Sequence, residues 1–261
     1  MLFYEMTGFM PGHSGESQAE AAVDLPPPAE AVLLLDFDGT LVDIAERPMD
    51  VVVPDRVPAL LARAMERTGG RVALVSGRTI ADLERFLPDF DGALVGTHGA
   101  ETRIDGAWEQ AEGFDRDVVA HLQRMVHDFA SLRPEFLVED KPSGVVLHYR
   151  QAEAQAGLAL RFMESIAGAA DGFRLQPALM AYEIKPDSVG KDIGVERILE
   201  LSGFGGRRPV FAGDDLTDEA AIAVVQARGG VGIKIGEAES VAQHRIANPA
   251  ALLDRLEAWL A

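Results

Sequence analysis

Two carboxylates directly after an apolar run are the residues of this chain best placed to do chemistry. The apolar stretch Val32–Leu35 predicts a buried strand, and it is followed by Asp36, Phe37, Asp38, Gly39 and Thr40. Because side chains alternate along a strand, Asp36 and Asp38 can point to the same side of its end. Two such charges repel each other unless a cation lies between them. The spacing favours a bound divalent cation and two roles, with one carboxylate attacking and the other moving protons.

The same five residues also fit an ordinary solvated turn, because Asp and Gly are common in turns. The preceding apolar strand makes that interpretation less favourable. The complete string resembles the first motif of the haloacid dehalogenase-like (HAD) phosphatase superfamily. This resemblance implies that Asp36 becomes an aspartyl phosphate during the reaction and that Asp38 acts as general acid and base.

Composition excludes several classes of function. The chain has 261 residues, 48% of them hydrophobic, a net charge of −18 and no cysteine. We therefore expect no disulfide, cysteine-bound zinc or thiol nucleophile, and no binding to nucleic acid or to an anionic membrane.

No apolar stretch approaches the ~20 residues of a membrane helix, and no Lys or Arg precedes Arg47, so we expect a cytoplasmic protein. A phosphate site needs only local cations, because charges beyond ~8 Å are largely screened.

Residues 31–100 and 186–261 alternate between short apolar strands and amphipathic helices, which is typical of an α/β domain with a parallel sheet covered on both faces. Ligands bind such sheets at the carboxyl ends of the strands. Asp36, Ser76 and Asp214 all lie at the carboxyl ends of predicted strands. These are Val32–Phe37, Arg71–Ser76, Ala93–Gly96, Pro209–Gly213 and Val231–Ile235.

Residues 101–185 have a different pattern and predict an inserted α+β cap domain. It begins with a hairpin around Asp105-Gly106 and continues with a helix, a second hairpin, another helix and two strands. Residues 1–30 are rich in Gly, Ser, Glu, Ala and Pro, and we predict a mobile arm without chemistry.

Three further strings match the other HAD motifs in order. Ser76 and Gly77 resemble the second motif, which implies contact with phosphate, although Ser76 alone also fits a helix cap. Lys191 resembles the third motif, whose Lys neutralises the phosphate and the nucleophile, with Lys185 as the alternative. Asp214 resembles the fourth motif and is implied to bind Mg²⁺ together with Asp36 and the Asp38 backbone carbonyl. The resemblance implies that Asp218 and Asp215 support these ligands without binding the metal themselves. The resemblance implies a Rossmann-like HAD core.

Strings around and within the cap resemble the trehalose-phosphatase family. They are Gly96–Glu101, Glu139–Lys141, His148–Arg150 and Tyr182–Pro186. The family usually has Leu where Thr97 stands. The resemblance implies that trehalose 6-phosphate is the substrate and that it contacts His98, Glu101, Glu139, Lys141, Arg150 and Glu183. Each of these residues also fits a solvated surface or, for His98, a structural hydrogen bond.

The resulting hypothesis is a monomeric Mg²⁺-dependent phosphatase in which Thr40, Ser76, Gly77 and Lys191 hold the phosphoryl oxygens. A sucrose-phosphate or mannosylglycerate-phosphate phosphatase would keep the same chemistry. A phosphomutase would need its aspartyl phosphate shielded from water. A non-catalytic sugar-phosphate-binding regulator would have no use for a nucleophile that faces a general acid.

Overall fold

Twelve strands, seven α-helices and five short 3₁₀ helices make up the regular structure of the described residues. The structure is a computed structural model, and it describes residues 23–45, 47–104, 106–110, 114–178, 180–201 and 203–261. The strands are β1 Ala31–Leu35, β2 Val72–Val75, β3 Ala93–Gly96, β4 Glu101–Ile104, β5 Ala107–Gln110, β6 Leu137–Lys141, β7 Gly144–His148, β8 Phe173–Ala178, β9 Ala181–Pro186, β10 Arg208–Gly213, β11 Val231–Ile235 and β12 His244–Ile246. The helices are α1 Arg56–Thr68, α2 Ile80–Phe86, α3 Arg116–Ser131, α4 Ala156–Ala167, α5 Lys191–Glu200, α6 Glu219–Ala227 and α7 Pro249–Trp259.

The larger sheet forms the core in the order β12-β11-β10-β1-β2-β3-β4-β5. The strands from β12 to β3 are parallel, β4 pairs antiparallel with β3, and β5 pairs antiparallel with β4. The five predicted parallel strands are therefore confirmed, and β12 is a short additional strand at the edge. Parallel strands align their carboxyl ends, so the loops after β1, β2 and β10 meet at one edge.

The apolar side chains of β1 explain why helices cover both faces of this sheet. Leu33 and Leu35 pack into one cluster with α1, α2 and α7. Val32 and Leu34 pack into a second cluster with α5 and α6 on the other face. A strand that is apolar on both faces needs such a layer on each side. The predicted α/β core is confirmed.

The cap contains a smaller antiparallel sheet in the order β6-β7-β9-β8. Val145 and Leu147 of β7 and Ile184 of β9 pack against α3 and α4. Because side chains alternate, the other face of the sheet carries Glu139, Lys141, Glu183 and Lys185. That face is therefore polar. After β9, the chain returns to the core at α5.

Two boundaries differ from the sequence-based expectation. The hairpin of β4 and β5, expected to begin the cap at residue 101, pairs with β3 of the core sheet instead. Residues 23–30, expected in the arm, lie against the core, where Trp259 Nε1 donates to Pro26 O at 2.6 Å and Arg71 donates to Ala29 O at 3.0 Å. The remainder of the predicted arm, residues 1–22, lies outside the described residues.

Candidate active site

Asp36 lies buried at the end of β1, where three side-chain contacts define the centre of the site. Lys191 Nζ donates to Asp36 Oδ1 at 2.7 Å and to Asp218 Oδ1 at 2.7 Å. Thr40 Oγ1 donates to Asp36 Oδ2 at 3.1 Å. The structure thus brings Lys191, and not Lys185, to the predicted nucleophile. Burial alone would lower the pKa of Lys191, but Asp218 and Asp36 outweigh it and raise that pKa.

A tight turn after β1 brings the Asp214 loop against the Asp36 loop. Gly39 has a φ of +75°, a left-handed conformation that glycine adopts without strain. A Cβ at this position would lie 2.1 Å from Asp214 Oδ2. Position 39 therefore needs glycine for two reasons. The turn requires a positive φ, and the Asp214 carboxylate leaves no room for a Cβ.

Three carboxylates converge in this space and fit a metal ion. Oxygen atoms of Asp36, Asp214 and Asp218 lie within 4.8 Å of one another. Both Asp218 oxygens already have partners, since Oδ1 accepts from Lys191 and Oδ2 accepts from the Asp215 N–H at 3.0 Å. The hard oxygen atoms of Asp36 and Asp214 are therefore the ones best placed to bind a cation such as Mg²⁺.

The electrostatics of the cluster favour the binding of a cation. Burial, followed by repulsion from Asp218 and Asp214, raises the pKa of Asp36 well above its usual range despite Lys191. Burial, followed by repulsion from Asp218 and Asp215, raises the pKa of Asp214 to about 6. Protons thus stabilise this cluster when no metal is bound, and a divalent cation would favour the ionised carboxylates instead.

Arg78 holds the side chain of Asp38 in a bidentate ion pair. Its Nε donates to Asp38 Oδ2 at 2.6 Å and an Nη atom donates to Oδ1 at 2.7 Å. The guanidinium carbon lies 5.6 Å from the ring centroid of Phe37 and 4.8 Å from that of Phe86. This contact orients Asp38, and the sequence analysis missed it, although Arg78 directly follows the Ser76-Gly77 motif.

Ser76 and Gly77 place the start of α2 beside a strained turn that contains His98. The His98 N–H donates to Ser76 O at 2.9 Å, and a Cβ at Gly77 would lie 2.6 Å from the His98 ring. Thr97 and His98 have φ values of +48° and +53°, which is costly for residues with a Cβ. Burial, followed by the charges of Lys141, Lys191 and Lys185, lowers the pKa of His98 well below its usual range. His98 is therefore neutral and lies among lysines of both the core and the cap.

The predicted cap residues do not share one environment. Glu183 is buried and lies 3.5 Å from Lys141 Nζ, and Glu139 accepts from His148 Nε2 at 3.0 Å. This hydrogen bond with His148 is the main cause of the lowered pKa of Glu139. Glu139 and Glu183 both align with Val146 of β7, so they lie on one face. Arg150 lies in an exposed turn after β7.

Glu101 has a structural contact that the sequence did not predict. Its Oε2 accepts from the Ile80 N–H at 3.0 Å, at the first residue of α2. The carboxylate therefore satisfies a backbone donor that the helix start leaves unpaired. Contact of Glu101 with substrate stays a prediction.

This arrangement, a buried lysine–aspartate pair beside an acidic loop, agrees with the comparison with known proteins. The model of the trehalose-phosphatase family matches residues 34–254. This chain belongs to the trehalose-phosphatase family. It is a phosphoric monoester hydrolase, and the predicted family and enzyme class are confirmed.

Individual relatives support the same conclusion. Trehalose-6-phosphate phosphatase of Escherichia coli (strain K12) is 33% identical over 223 residues, covering 84% of this chain and 82% of the relative. The probable trehalose-phosphate phosphatase of Sinorhizobium fredii (strain NBRC 101917 / NGR234) is 34% identical over 215 residues, covering 78% and 77%. The C-terminal domain of Candida albicans trehalose-6-phosphate phosphatase superposes with a TM-score of 0.77 at 20% identity, covering 88% and 92%. At 20% identity, the similarity to the Candida albicans domain shows the fold alone.

Among the residues that the structure describes, no helix is both long and apolar enough to cross a membrane.

Proposed function

We propose that this protein hydrolyses trehalose 6-phosphate to trehalose and phosphate through an aspartyl phosphate on Asp36. The observation that carries the proposal is the buried contact between Lys191 Nζ and Asp36 Oδ1 at 2.7 Å. Thr40 holds the second oxygen of Asp36 at 3.1 Å. Each carboxylate oxygen has two lone pairs, so an oriented nucleophile retains one for attack.

The reaction has two steps in which Asp38 moves the proton. In the first, an Asp36 oxygen bonds to phosphorus while the bond from phosphorus to the sugar oxygen breaks, and Asp38 protonates that oxygen. In the second, Asp38 takes a proton from water as the water attacks phosphorus and the bond to Asp36 breaks. Arg78 donates one hydrogen bond to each Asp38 oxygen, so each oxygen keeps a second lone pair on which Asp38 can carry the proton.

Phosphoryl oxygens would be held by Thr40, Ser76, Lys191 and the backbone at Gly77. Lys191 is 4% exposed and Ser76 1%, so their contacts with an anion would be little weakened by solvent. Positioning and charge of this kind supply most of the catalysis in phosphoryl transfer.

Asp36, Asp214 and the Asp38 backbone carbonyl would hold Mg²⁺. When bound, Mg²⁺ supplies positive charge that stabilises the transferring phosphoryl group. Asp215 and Asp218 would support these ligands without binding the metal themselves. Asp218 does so through contacts with Lys191 and the Asp215 N–H.

The polar face of the cap would bind the sugar. Glu139, Lys141 and Glu183 offer acceptors and a donor for hydroxyl groups, and His98, in the turn after β3, would contact the sugar as well. Glu101 and Arg150 complete the proposed set on the basis of the family resemblance. The substrate is a small molecule, and we further propose that a monomer in the cytoplasm carries out the reaction.

Another sugar phosphate, such as sucrose phosphate or mannosylglycerate phosphate, would fit the same core chemistry. A regulator that only binds sugar phosphate is less favoured. Burying Asp36, Lys191 and Asp218 together is costly unless they are well paired, and that set suits a reaction better than passive binding.

The test is phosphate release from trehalose 6-phosphate by protein treated with a chelator, before and after Mg²⁺ is restored. We expect no turnover without metal and full recovery with it. Asp214→Asn, which lacks one proposed ligand charge, is the matched control and should need far more Mg²⁺. Full turnover by the chelated protein would contradict the proposed metal site, and no release under any condition would contradict the proposed substrate.

A further inference from the structure

Lys234 is a buried lysine that none of the proposed catalytic steps uses. It lies in β11, where it aligns with Gly213 of the neighbouring strand β10, and it is 2% exposed. Its neighbours Ile233 and Ile235 are apolar and buried. A charged side chain is costly in such a place unless its donors are paired.

The ammonium group of Lys234 has three acceptors, one for each of its N–H donors. Nζ donates to Asp214 O at 2.6 Å, to Asp215 O at 3.5 Å and to Glu219 Oε1 at 3.3 Å. Glu219 is fixed in turn, because its Oε2 accepts from Ser240 Oγ at 3.0 Å and from the Val241 N–H at 2.8 Å. Lys234 therefore joins the Asp214–Asp215 backbone to a second loop.

The Asp214–Asp215 turn is consequently held from both sides. On the donor side, the Asp215 N–H is bound by Asp218 Oδ2 at 3.0 Å. On the acceptor side, the carbonyl oxygens are bound by Lys234. Asp214 O and the Asp215 N–H belong to the peptide plane that follows Asp214, and the preceding residue, Gly213, lies in β10 opposite Lys234 of β11. Holding the backbone before and after Asp214 restricts the direction of its side chain, which lies next to Gly39 and Asp36.

We propose that Lys234 is a positioning residue that holds the Asp214–Asp215 backbone so that the Asp214 carboxylate stays directed at Asp36. The expected effect of Lys234 on Mg²⁺ affinity rests on the Mg²⁺ site of the proposed function. Its expected effect on the Asp214–Asp215 loop does not depend on that site. A positively charged group this close could instead act only through its charge. These two roles predict opposite changes in Mg²⁺ affinity, which makes them separable.

The first experiment follows amide hydrogen exchange of residues 213–218 in metal-free protein. We expect Lys234→Met to exchange at least ~10-fold faster than wild type at the Asp215 amide, because the turn loses its acceptor-side contacts. Lys185→Met is the matched control, since Lys185 is 3% exposed but has no hydrogen bond to this loop among the described contacts. It should leave exchange at 213–218 unchanged. Unchanged exchange in a folded Lys234→Met protein would overturn the proposal.

The second experiment measures Mg²⁺ binding by calorimetry without substrate. Loss of positioning should raise the Mg²⁺ Kd of Lys234→Met about 10–100-fold, as is typical when a residue behind a metal ligand is removed. Tighter binding would overturn the proposal in favour of a charge effect. If wild type binds no Mg²⁺, the proposed metal site fails, while the exchange experiment still decides the role of Lys234.

A second variant keeps the proposal testable if Lys234→Met does not fold. Glu219→Gln removes the charged anchor of Lys234 but leaves its two carbonyl acceptors. We expect exchange at the Asp215 amide to increase by a smaller factor than in Lys234→Met. Wild-type exchange in Glu219→Gln, with Lys234→Met unfolded, would overturn the proposal.

Discussion

The core site and the cap face differ in how firmly their charged side chains are held. In the core, Asp36, Lys191 and Asp218 are buried, and Lys191 donates to both carboxylates at 2.7 Å. On the cap, the Lys141–Glu183 pair is separated by 3.5 Å, and Glu139 is exposed. Fixed partners suit chemistry that is the same for every phosphate ester, because the charges need no rearrangement during reaction. Loosely paired groups suit recognition, since they can exchange their contacts for hydroxyl groups of a substrate.

This difference predicts that core variants damage every reaction and cap variants damage only reactions with the correct sugar. The largest expected effect is that of Asp36→Asn. An amide is a poor nucleophile, so neither phosphate release nor a covalent phosphoenzyme should be detected with any substrate. Acid quenching followed by mass spectrometry checks for the intermediate. Phosphate attached to the Asp36→Asn protein would show that another residue attacks.

Asp38→Asn should have the next largest effect. It retains the nucleophile but cannot move the proton, so kcat should fall about 10²–10⁴-fold. The loss should be smaller for p-nitrophenyl phosphate, whose leaving group needs less protonation. Single-turnover measurements on both substrates check this, and equal losses on the two would contradict a role in protonating the sugar oxygen.

Glu183→Ala should have a smaller effect that depends on the substrate. Glu183 is 5% exposed, and removing it leaves polar partners unpaired, at a cost of about 1–3 kcal/mol in transition-state binding. This loss should appear in kcat/KM for trehalose 6-phosphate and be nearly absent for p-nitrophenyl phosphate. Similar losses for the two substrates would mean that Glu183 supports the fold or the core instead of the sugar.

The smallest expected effect is a change of stability with pH in the metal-free protein. The pKa of Asp214 is raised to about 6, above the ordinary value of an aspartate, so protonation stabilises the folded state. As pH rises from about 4 to 6, the unfolded chain loses this proton first and the contribution of Asp214 to stability decreases. The melting temperature of chelated wild type, minus that of Asp214→Asn, should therefore fall across this window. A constant difference would contradict the raised pKa.

The core of the site was predictable because its residues stand at points that local sequence patterns mark well. Asp36, Ser76 and Asp214 follow short apolar strands, and Lys191 begins a helix after a polar turn. A parallel sheet brings such points to one edge whatever the details of packing. These patterns were therefore sufficient to place Asp36, Ser76 and Asp214 together, whereas Lys191 was selected through its resemblance to the third motif.

Features that depend on pairing over long distances were not predictable in the same way. The hairpin of β4 and β5 has a clear turn, but its local pattern does not indicate that it pairs with β3 of the core. The strand β12 is only His244–Ile246 and contains two polar residues, so it lacks an apolar pattern. Residues 23–30 resemble a linker in composition, and their packing depends on Trp259 and Arg71.

Two functional contacts were missed although the sequence carried a signal for each. Arg78 follows the Ser76-Gly77 motif, and only the folded loop shows that it reaches Asp38. Lys234 stands within the apolar strand Val231–Ile235, where a charged residue is unusual. A lysine in a predicted buried strand, one residue before its end, would have been a reasonable candidate for a site residue.

The central claim, that a general phosphatase core is made specific by the cap, is tested most directly by the substrate preference of the wild-type enzyme. The measurement is kcat/KM with Mg²⁺ for trehalose 6-phosphate, sucrose 6-phosphate and glucose 6-phosphate. We predict a preference for trehalose 6-phosphate of orders of magnitude, because only the cap can contact the second glucose unit. Equal values for all three substrates would contradict the claim and leave a phosphatase whose cap does not select the sugar.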